Sequence, residues 1–566
     1  MNRRRLRLLA RVLVLVVALC AATGAMHRKE GWHIDEIATL GLANGSIGGY
    51  ITAYDDARFG RGAFIRDTIL GDSFGEMAGN IGAILSDIAR SGLSGFSIRD
   101  QYVAYREAGS PVWKSGEDFS EYLLADGFSL KDVYLNQLLD THPPLYYLFV
   151  RAAYAVYDGL SGEEISLRPA FFVNALFLCL VCLMLMRIGE KRFGSFSLGA
   201  GAALFFALSP AGLSLAVYMR MYMALCFFVL LSLDAHLRLW QNGWQLDKKT
   251  AWALACSCAL GFLTHYYFAI WAVMCALVCL LCMLRAKAGR RFWGYVGRMA
   301  LGAALSLVVW PFSAAHLLLS NRSAQAVESL SGGALSRMGS SLNIFTDHLF
   351  GTPALVPLLL AAVGAGLYLL RKKERGPLTP LVISLAPAAL YLAVVFVISP
   401  YEDLRYMACA VPLFALGAAW CLRQAAKCTP WKGLVCAALC GCVALSGLCT
   451  QSPMYLYPGT AEATAFVQQH AGKKCIYLTG SGAAFFREMP HFAHYESVLI
   501  VNRDELRLLQ EDETLSAEDE LLLYIHDSYP QTDAMHAILE LTGFTGYEVL
   551  AQSHAGLDAR AYLLTR

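Results

Sequence analysis

The chain has 566 residues, of which 57% are hydrophobic and 16% charged, with a formal net charge of +2. A soluble domain carries about 25% charged residues, so the deficit excludes an ordinary soluble enzyme. The near-neutral balance excludes a nucleic-acid binder held by bulk charge. Runs almost free of charge, such as Leu176 to Met186, Ala251 to Leu263 and Leu434 to Leu448, call for a polytopic α-helical membrane protein.

Arg3, Arg4, Arg5, Arg7 and Arg11 lead into the apolar run Val12 to Ala22. This reads as a retained first span rather than a cleaved signal peptide, because the rest of the chain is itself polytopic. The excess of positive charge before it places the following loop outside the cytoplasm. That loop covers residues 26–142. Trp32-His33-Ile34-Asp35-Glu36 stands near its start and Asp140-Thr141-His142-Pro143-Pro144-Leu145-Tyr146-Tyr147 at its end. Between them Phe64, Ile65, Ile69, Met77, Ile81, Ile84, Leu85 and Ile88 recur at helical spacing, with acids on the other faces. This predicts an amphipathic helix, either lying on the membrane or packed on its neighbours.

Basic clusters then mark cytoplasmic turns: Arg187, Lys191 and Arg192; Lys248 and Lys249; Arg285 to Arg298; Arg371 to Arg375; Arg423 and Lys427. Outer turns fall between them, at 209–222, 264–267, 320–350 and 399–405. The alternation gives about eleven spans and leaves the C-terminal segment outside. Two apolar stretches, 143–159 and 167–186, precede the basic turn at Arg187, and parity allows only one of them a full crossing.

From about Met454 the composition changes. Cys475 to Thr479, Val498 to Val501 and Leu521 to Ile525 are strand-like, and helical patterns at Ala461 to His470 and Thr532 to Leu541 alternate with them. The division expected is a membrane module over 1–453, including the loop, and a small extracytoplasmic α/β domain over 454–566. Of the 17 cysteines, all except Cys475 lie in or beside apolar segments, as expected of small buried hydrophobes. Their spacing matches no zinc pattern.

The residues with chemistry lie at the outer turns. Asp35 or Glu36 suits general-base work on an acceptor hydroxyl, although an adjacent acid pair in a loop is commonly just solvated. Asp140 and His142 sit at the rim of the bundle, fixed by the following prolines; a helix cap at Asp140 or Thr141 explains them equally well. Arg220, in Tyr218-Met219-Arg220-Met221-Tyr222, and Arg405, in Tyr401-Glu402-Asp403-Leu404-Arg405-Tyr406, suit a phosphate through bidentate charge-assisted bonds. The plain alternatives are an ion pair of Arg405 with Glu402 or Asp403, and snorkelling to headgroups. An interfacial aromatic belt accounts for His265-Tyr266-Tyr267 as well as a binding site does.

Taken in order, these strings resemble the dolichyl-phosphate-mannose protein mannosyltransferase family, glycosyltransferase family 39, and within it the bacterial branch that includes the lipid A aminoarabinose transferases. The resemblance is carried by Asp35-Glu36, by His142 to Tyr147, by Leu167-Arg168-Pro169, by Ser209-Pro210 with Arg220-Met221-Tyr222, and by His265-Tyr266 and Arg405-Tyr406. It implies a GT-C bundle with its active site on the outer side under the long first loop, in a bacterial plasma membrane. It also implies a polyprenyl-phosphate-linked sugar as donor and a glycan, lipid or protein of the envelope as acceptor. By that analogy Asp35 is the catalytic carboxylate and Glu36 its partner in the acidic motif. Arg220, Tyr222, His265, Tyr266, Arg405 and Tyr406 then bind donor phosphate or sugar, with Asp140 and His142 lining the site.

A site of Asp35, Glu36, Asp140 and His142 has carboxylate oxygens that suit magnesium or manganese, but the resemblance requires no metal and no cofactor is expected. The loop is longer than in that branch around 60–130, and the C-terminal domain has no motif that names an acceptor. The competing class is a transporter or flippase of lipid-linked sugars, which calls for charges inside several spans and inverted repeats. Within the apolar runs only Arg220 and Asp234 stand out, and no repeat is visible.

Overall fold

The computed structural model describes residues 3–566 apart from 46–67, 69, 92–111, 125–127, 138–139, 141, 162–165, 314–315, 318–333, 352–377, 428, 430, 480–483 and 552–557. In chain order its first helices are α1 (Arg3–His27), α2 (Ile34–Asn44), α3 (Phe74–Ser91), α4 (Gly116–Leu123), α5 (Leu130–Asn136), α6 (Leu145–Ser161) and α7 (Arg168–Lys191). Next come α8 (Phe196–Leu208), α9 (Pro210–Val217), α10 (Tyr222–Gln241), α11 (Lys248–Thr264), α12 (Tyr267–Arg285) and α13 (Gly289–Val309). They are followed by α14 (Ala334–Phe350), α15 (Leu378–Ile398), α16 (Val411–Ala426) and α17 (Lys432–Thr450). The C-terminal part carries α18 (Thr460–Gln469), α19 (Met489–Phe492), α20 (Glu513–Ser516) and α21 (Gln531–Thr542).

The chain forms two compact units. One comprises residues 1–27, 141–146 and 171–454, and the other 28–140, 147–170 and 455–566. Among the described residues of the first, α1, α7, α10, α12, α13, α15 and α17 are long and apolar enough to cross a membrane, and α8 with α9 forms a further pair bent by 64°. In lipid the apolar effect does not drive helix against helix, so close backbone approach carries the packing. A Cβ added to Gly199 of α8 would lie 2.6 Å from the Leu185 carbonyl oxygen of α7, so those two helices meet backbone to backbone. At the bend Ser209 caps α9, its Oγ accepting from Gly212 N at 3.1 Å, with Pro210 in the first turn. Asp234, inside α10, pairs with Arg192 at 2.6 Å and Arg187 at 3.2 Å. That ion pair accounts for one of the two charges that stood out in the apolar runs.

Of the two apolar stretches in parity conflict, α7 passes the length and hydropathy test for a span. The 17-residue α6 does not reach that length, and it lies mostly among residues 147–170 of the second unit. The amphipathic helix expected around 64–88 is α3, from Phe74; residues 64–67 and 69 lie outside the described residues.

The second unit is built on a six-stranded sheet of β1 (Lys114–Ser115), β2 (Lys474–Leu478), β3 (Ser497–Val501), β4 (Glu520–His526), β5 (Gly546–Ala551) and β6 (Ala559–Thr565), in the order β1-β3-β2-β4-β6-β5. β2 pairs parallel with β3 and β4, while β1, β5 and β6 pair antiparallel. Ile476, Leu478, Leu499, Leu521, Leu523, Ile525 and Ile538 of α21 form its core. Each such buried aliphatic contributes roughly 1.5–3 kcal/mol.

A described stretch of the loop packs with this sheet. Lys114 and Ser115 add an edge strand to β3. Trp113 Nε1 donates to Asp512 Oδ2 at 2.9 Å, and the Phe119 ring stands edge-on to Phe492 at 5.3 Å. A two-residue strand leaves no periodic signal, which is why the sequence does not announce this pairing.

Candidate active site

In the membrane unit, four helix breaks bring the predicted cations and rings together. Arg220 follows α9 and precedes α10; His265 separates α11 from α12; Arg405 lies in the 3-10 turn Leu404–Met407 before α16; His142 precedes α6. A break is where a membrane helix bundle tolerates free backbone groups and charge, provided both find partners.

Tyr218, fully buried, joins the two arginines. Arg220 N donates to the Tyr218 carbonyl at 2.6 Å, and Arg405 Nη1 donates to the Tyr218 hydroxyl at 2.6 Å. The Arg220 guanidinium, itself buried, lies 3.4 Å from both ring nitrogens of His142. His142 stands edge-on to His265 at 5.6 Å, and His265 packs against Tyr222 at 5.2 Å. Tyr222 stacks on Tyr218 at 5.8 Å. Tyr406 receives Arg405 over its ring at 5.0 Å and packs on Tyr267 at 5.5 Å.

Of the ion pairs weighed for Arg405, Asp403 is the one formed. Its Oδ2 lies 3.5 Å from Arg405 Nε, and its Oδ1 caps Arg405 N at 3.0 Å. Tyr266 faces a separate buried chain, accepting from Trp310 Nε1 at 3.0 Å and bonding His316 Nδ1 at 2.9 Å. The result is two buried cations in an aromatic and imidazole setting at one end of the bundle, an arrangement suited to an anion with an apolar tail.

The acidic pair belongs to the other unit, and its two carboxylates have different surroundings. His33 caps α2 in a reciprocal box: its Nδ1 accepts from Asp35 N at 3.0 Å, and Glu36 Oε2 accepts from His33 N at 2.7 Å. Adjacent residues on a helix point about 100° apart, so one carboxylate turns inward and its neighbour outward. Glu36 is fully buried and pairs with the buried Lys29 at 2.9 Å, whereas the Asp35 side chain keeps 27% of its exposure. Burial pushes the Lys29 pKa down, and Glu36 partly restores it. Lys29 Nζ also donates to Tyr455 O at 2.6 Å and lies 5.3 Å from the centre of the Tyr457 ring.

Tyr455 and Tyr457 hold left-handed backbone, φ 67° and 50°, and the His33 ring packs against both. Non-glycine residues there cost about 1–3 kcal/mol each and persist where the surroundings over-determine them. Asp140 in this unit accepts from the Tyr147 hydroxyl at 3.5 Å; Thr141 lies outside the described residues.

Sequence reasoning passed over Tyr218, Lys29 and Tyr457. Tyr218 is the mirror image of Tyr222 about Arg220, and that symmetry is a signal present in the sequence. Lys29 sits in Arg28-Lys29-Glu30, indistinguishable in sequence from ordinary charge after a span.

Two other polar clusters are accounted for as packing. Glu488 Oε2 bonds His491 Nδ1 at 3.0 Å, and His491 Nε2 lies 3.2 Å from Thr464 Oγ1. The threonine hydroxyl already donates to Thr460 O at 3.1 Å, so this line of groups stitches α18 to the 484–492 turn and does not activate a nucleophile. Among the described residues, His236, Cys275 and Cys279 are the group whose spacing fits a metal ion. His236 spends Nδ1 on Ser232 O at 2.7 Å and Nε2 on the Tyr295 hydroxyl at 3.0 Å, and it lies in the half of α10 far from Arg220, with the two cysteines on α12.

No protein-family model and no curated protein matches the chain. Solved structures do. One is ArnT from Cupriavidus metallidurans bound to undecaprenyl phosphate, 13% identical with a TM-score of 0.48, covering 98% of this chain and 97% of that one. Another is ArnT of the same organism in the apo state, 15% identical with a TM-score of 0.42, covering 75% and 87%. The third is the archaeal oligosaccharyltransferase AglB from Archaeoglobus fulgidus in complex with an inhibitory peptide and a dolichol-phosphate. It is 10% identical, with a TM-score of 0.40 and coverage of 72% and 65%.

Proposed function

We propose that this protein is an integral membrane glycosyltransferase of the GT-C type that moves a sugar from a polyprenyl-phosphate donor to an acceptor of the bacterial envelope on the outer face of the plasma membrane. The observation that carries the reading is the Arg220, Tyr218, Arg405 arrangement at one end of an apolar helix bundle. A polyprenyl-phosphate sugar combines a charged head with a long hydrocarbon tail, and its leaving group is a phosphate monoester. Two buried guanidinium groups offer charge-assisted bonds to that phosphate and stabilise the charge that grows as the glycosidic bond breaks. Tyr222, His265 and Tyr406 supply apolar and imidazole surface beside them. His142 holds the Arg220 fork in place.

Asp35 is the proposed general base. It takes the acceptor proton while the acceptor oxygen attacks the anomeric carbon in line with the departing phosphate, which inverts the anomeric centre. Glu36, buried and paired with Lys29, is better suited to fixing the start of α2 than to reacting. The reading needs no metal. The transporter reading loses support because Asp234 is spent on Arg187 and Arg192.

The test compares envelope glycans by mass spectrometry in cells that have the protein, lack it, or carry Asp35→Asn. The expected result is one sugar missing in the last two, with the variant present in the membrane at normal level. Sugar transfer undiminished in Asp35→Asn overturns the base assignment. An unchanged glycan profile in cells lacking the protein, together with altered uptake of a lipid-linked sugar, overturns the enzyme reading.

A further inference from the structure

We propose that the opposite end of the membrane unit holds a binding site for the phosphate headgroup of an anionic phospholipid, independent of the proposed transfer reaction. α10 begins two residues after Arg220, and its 20 residues carry the chain about 30 Å away. At that far end Trp240, Gly243, Trp244, Ala286, Lys287, Ala288, Arg290 and Arg291 enclose a half-open cavity of about 730 Å³, within the usual size of a ligand site.

The cavity is built where α10 and α12 end and α13 begins. Trp244 and Lys287 both hold left-handed backbone, φ 65° and 54°, which swings their side chains out of the helical path at the two C-termini. Trp244 is buried and forms an apolar wall. Arg291 donates from its guanidinium to the Gly243 carbonyl and ties the α13 start to the α10 end. Lys287 and Arg290 are exposed, and their side chains have no hydrogen-bond or ion-pair partner among the described residues.

The neighbouring acids are already engaged. Asp247 caps α11 and pairs with Arg238, and Asp234 pairs with Arg187 and Arg192. α13 starts without a side-chain cap or an acidic residue in its first turn. Two arginines at a helix N-terminus oppose its dipole, and an anion held beside them offsets that conflict. Trp293, 73% exposed on the next turn, suits the interfacial zone where indole rings concentrate. A cavity with an indole wall and a cationic rim fits an amphiphile, a phosphodiester head with apolar surface attached; basic pockets between helix ends bind such heads.

The experiment uses the full-length protein in detergent and reads lipid retention by native mass spectrometry. Phosphatidylglycerol, phosphatidylcholine and inorganic phosphate are the probes. Wild-type protein is expected to retain phosphatidylglycerol over phosphatidylcholine, and millimolar phosphate is expected not to displace it. The double variant Lys287→Gln with Arg290→Gln, which spares the Arg291 tie, is expected to lose retention on the order of tenfold. Arg298→Gln, outside the cavity, is expected to match wild type. Equal retention of both lipids, an unchanged double variant, or displacement of the lipid by free phosphate overturns the proposal. If the double variant does not fold, a salt titration of wild type decides: retention that falls with ionic strength supports the site, and retention that does not overturns it.

Discussion

The Tyr218 hydroxyl receives Arg405 Nη1 at 2.6 Å while the Tyr218 carbonyl receives Arg220 N at 2.6 Å, so one buried tyrosine sets the positions of both arginines proposed to hold the donor phosphate. Tyr218→Phe keeps the ring stack on Tyr222 and removes only the acceptor for Arg405. A hydrogen bond to a charged group is worth about 1.5–3 kcal/mol. The expected outcome is weaker binding of a polyprenyl phosphate by roughly tenfold or more, measured by native mass spectrometry or by KM for the lipid-linked donor. Arg405→Lys is expected to lose as much, because it keeps the charge but not the fork. Unchanged lipid affinity in both variants contradicts the phosphate role.

Lys29 and Glu36 form a buried ion pair 2.9 Å apart. Removing one partner of such a pair costs about 3–5 kcal/mol, because the other charge stays buried. Glu36→Gln retains an acceptor for His33 N but strands Lys29, so a marked fall in thermal stability is expected. Lys29→Met with Glu36→Gln is expected to recover most of the loss. Equal melting temperatures for the single and double variants would sink the pair as the cause.

The same pair has a pH signature. Burial lowers the native pKa of Lys29 below its unfolded value of 10.5, so the folded state binds fewer protons between those two values. Stability therefore rises with pH in that window and is flat below it. Glu36→Gln removes both influences that raise the native pKa, which extends the window to lower pH. Melting temperatures from pH 7 to 10.5 are expected to climb more in Glu36→Gln than in wild type; parallel profiles contradict this account.

Gly212 lies in the first turn of α9, where an added methyl would run into the Phe206 carbonyl oxygen across the 64° bend. Overpacking of this kind costs typically 1–3 kcal/mol. Gly441, in the interior of α17, has nothing within 4 Å of an added Cβ, so Gly441→Ala is expected to be neutral or to stabilise by up to about 1 kcal/mol. Detergent-solubilised melting curves of the two variants separate a bend that needs glycine from a helix that does not.

The strands Cys475 to Thr479, Val498 to Val501 and Leu521 to Ile525 were legible because parallel strands buried on both faces read as short apolar runs. The antiparallel pair Gly546–Ala551 and Ala559–Thr565 was not, because polar and apolar residues mix along both strands. Asp35 and Glu36 were equally good carboxylates in sequence. Their 27% and 0% side-chain exposure depends on which way α2 faces, and no local pattern encodes that.

The sequence by itself determined that this is a polytopic membrane protein, where its breaks and basic turns fall, and which few polar residues interrupt the apolar runs. Those are properties of composition and of contiguous segments, and the cost of placing charge and open backbone in lipid makes them visible one stretch at a time. Only the tertiary structure decided that Tyr218 links Arg220 to Arg405 and that Glu36 is spent on Lys29. It also decided that Trp113, Lys114, Ser115 and Phe119 pack with the C-terminal sheet. Each of those depends on groups distant in the chain meeting within hydrogen-bond reach, and that distance is set by packing.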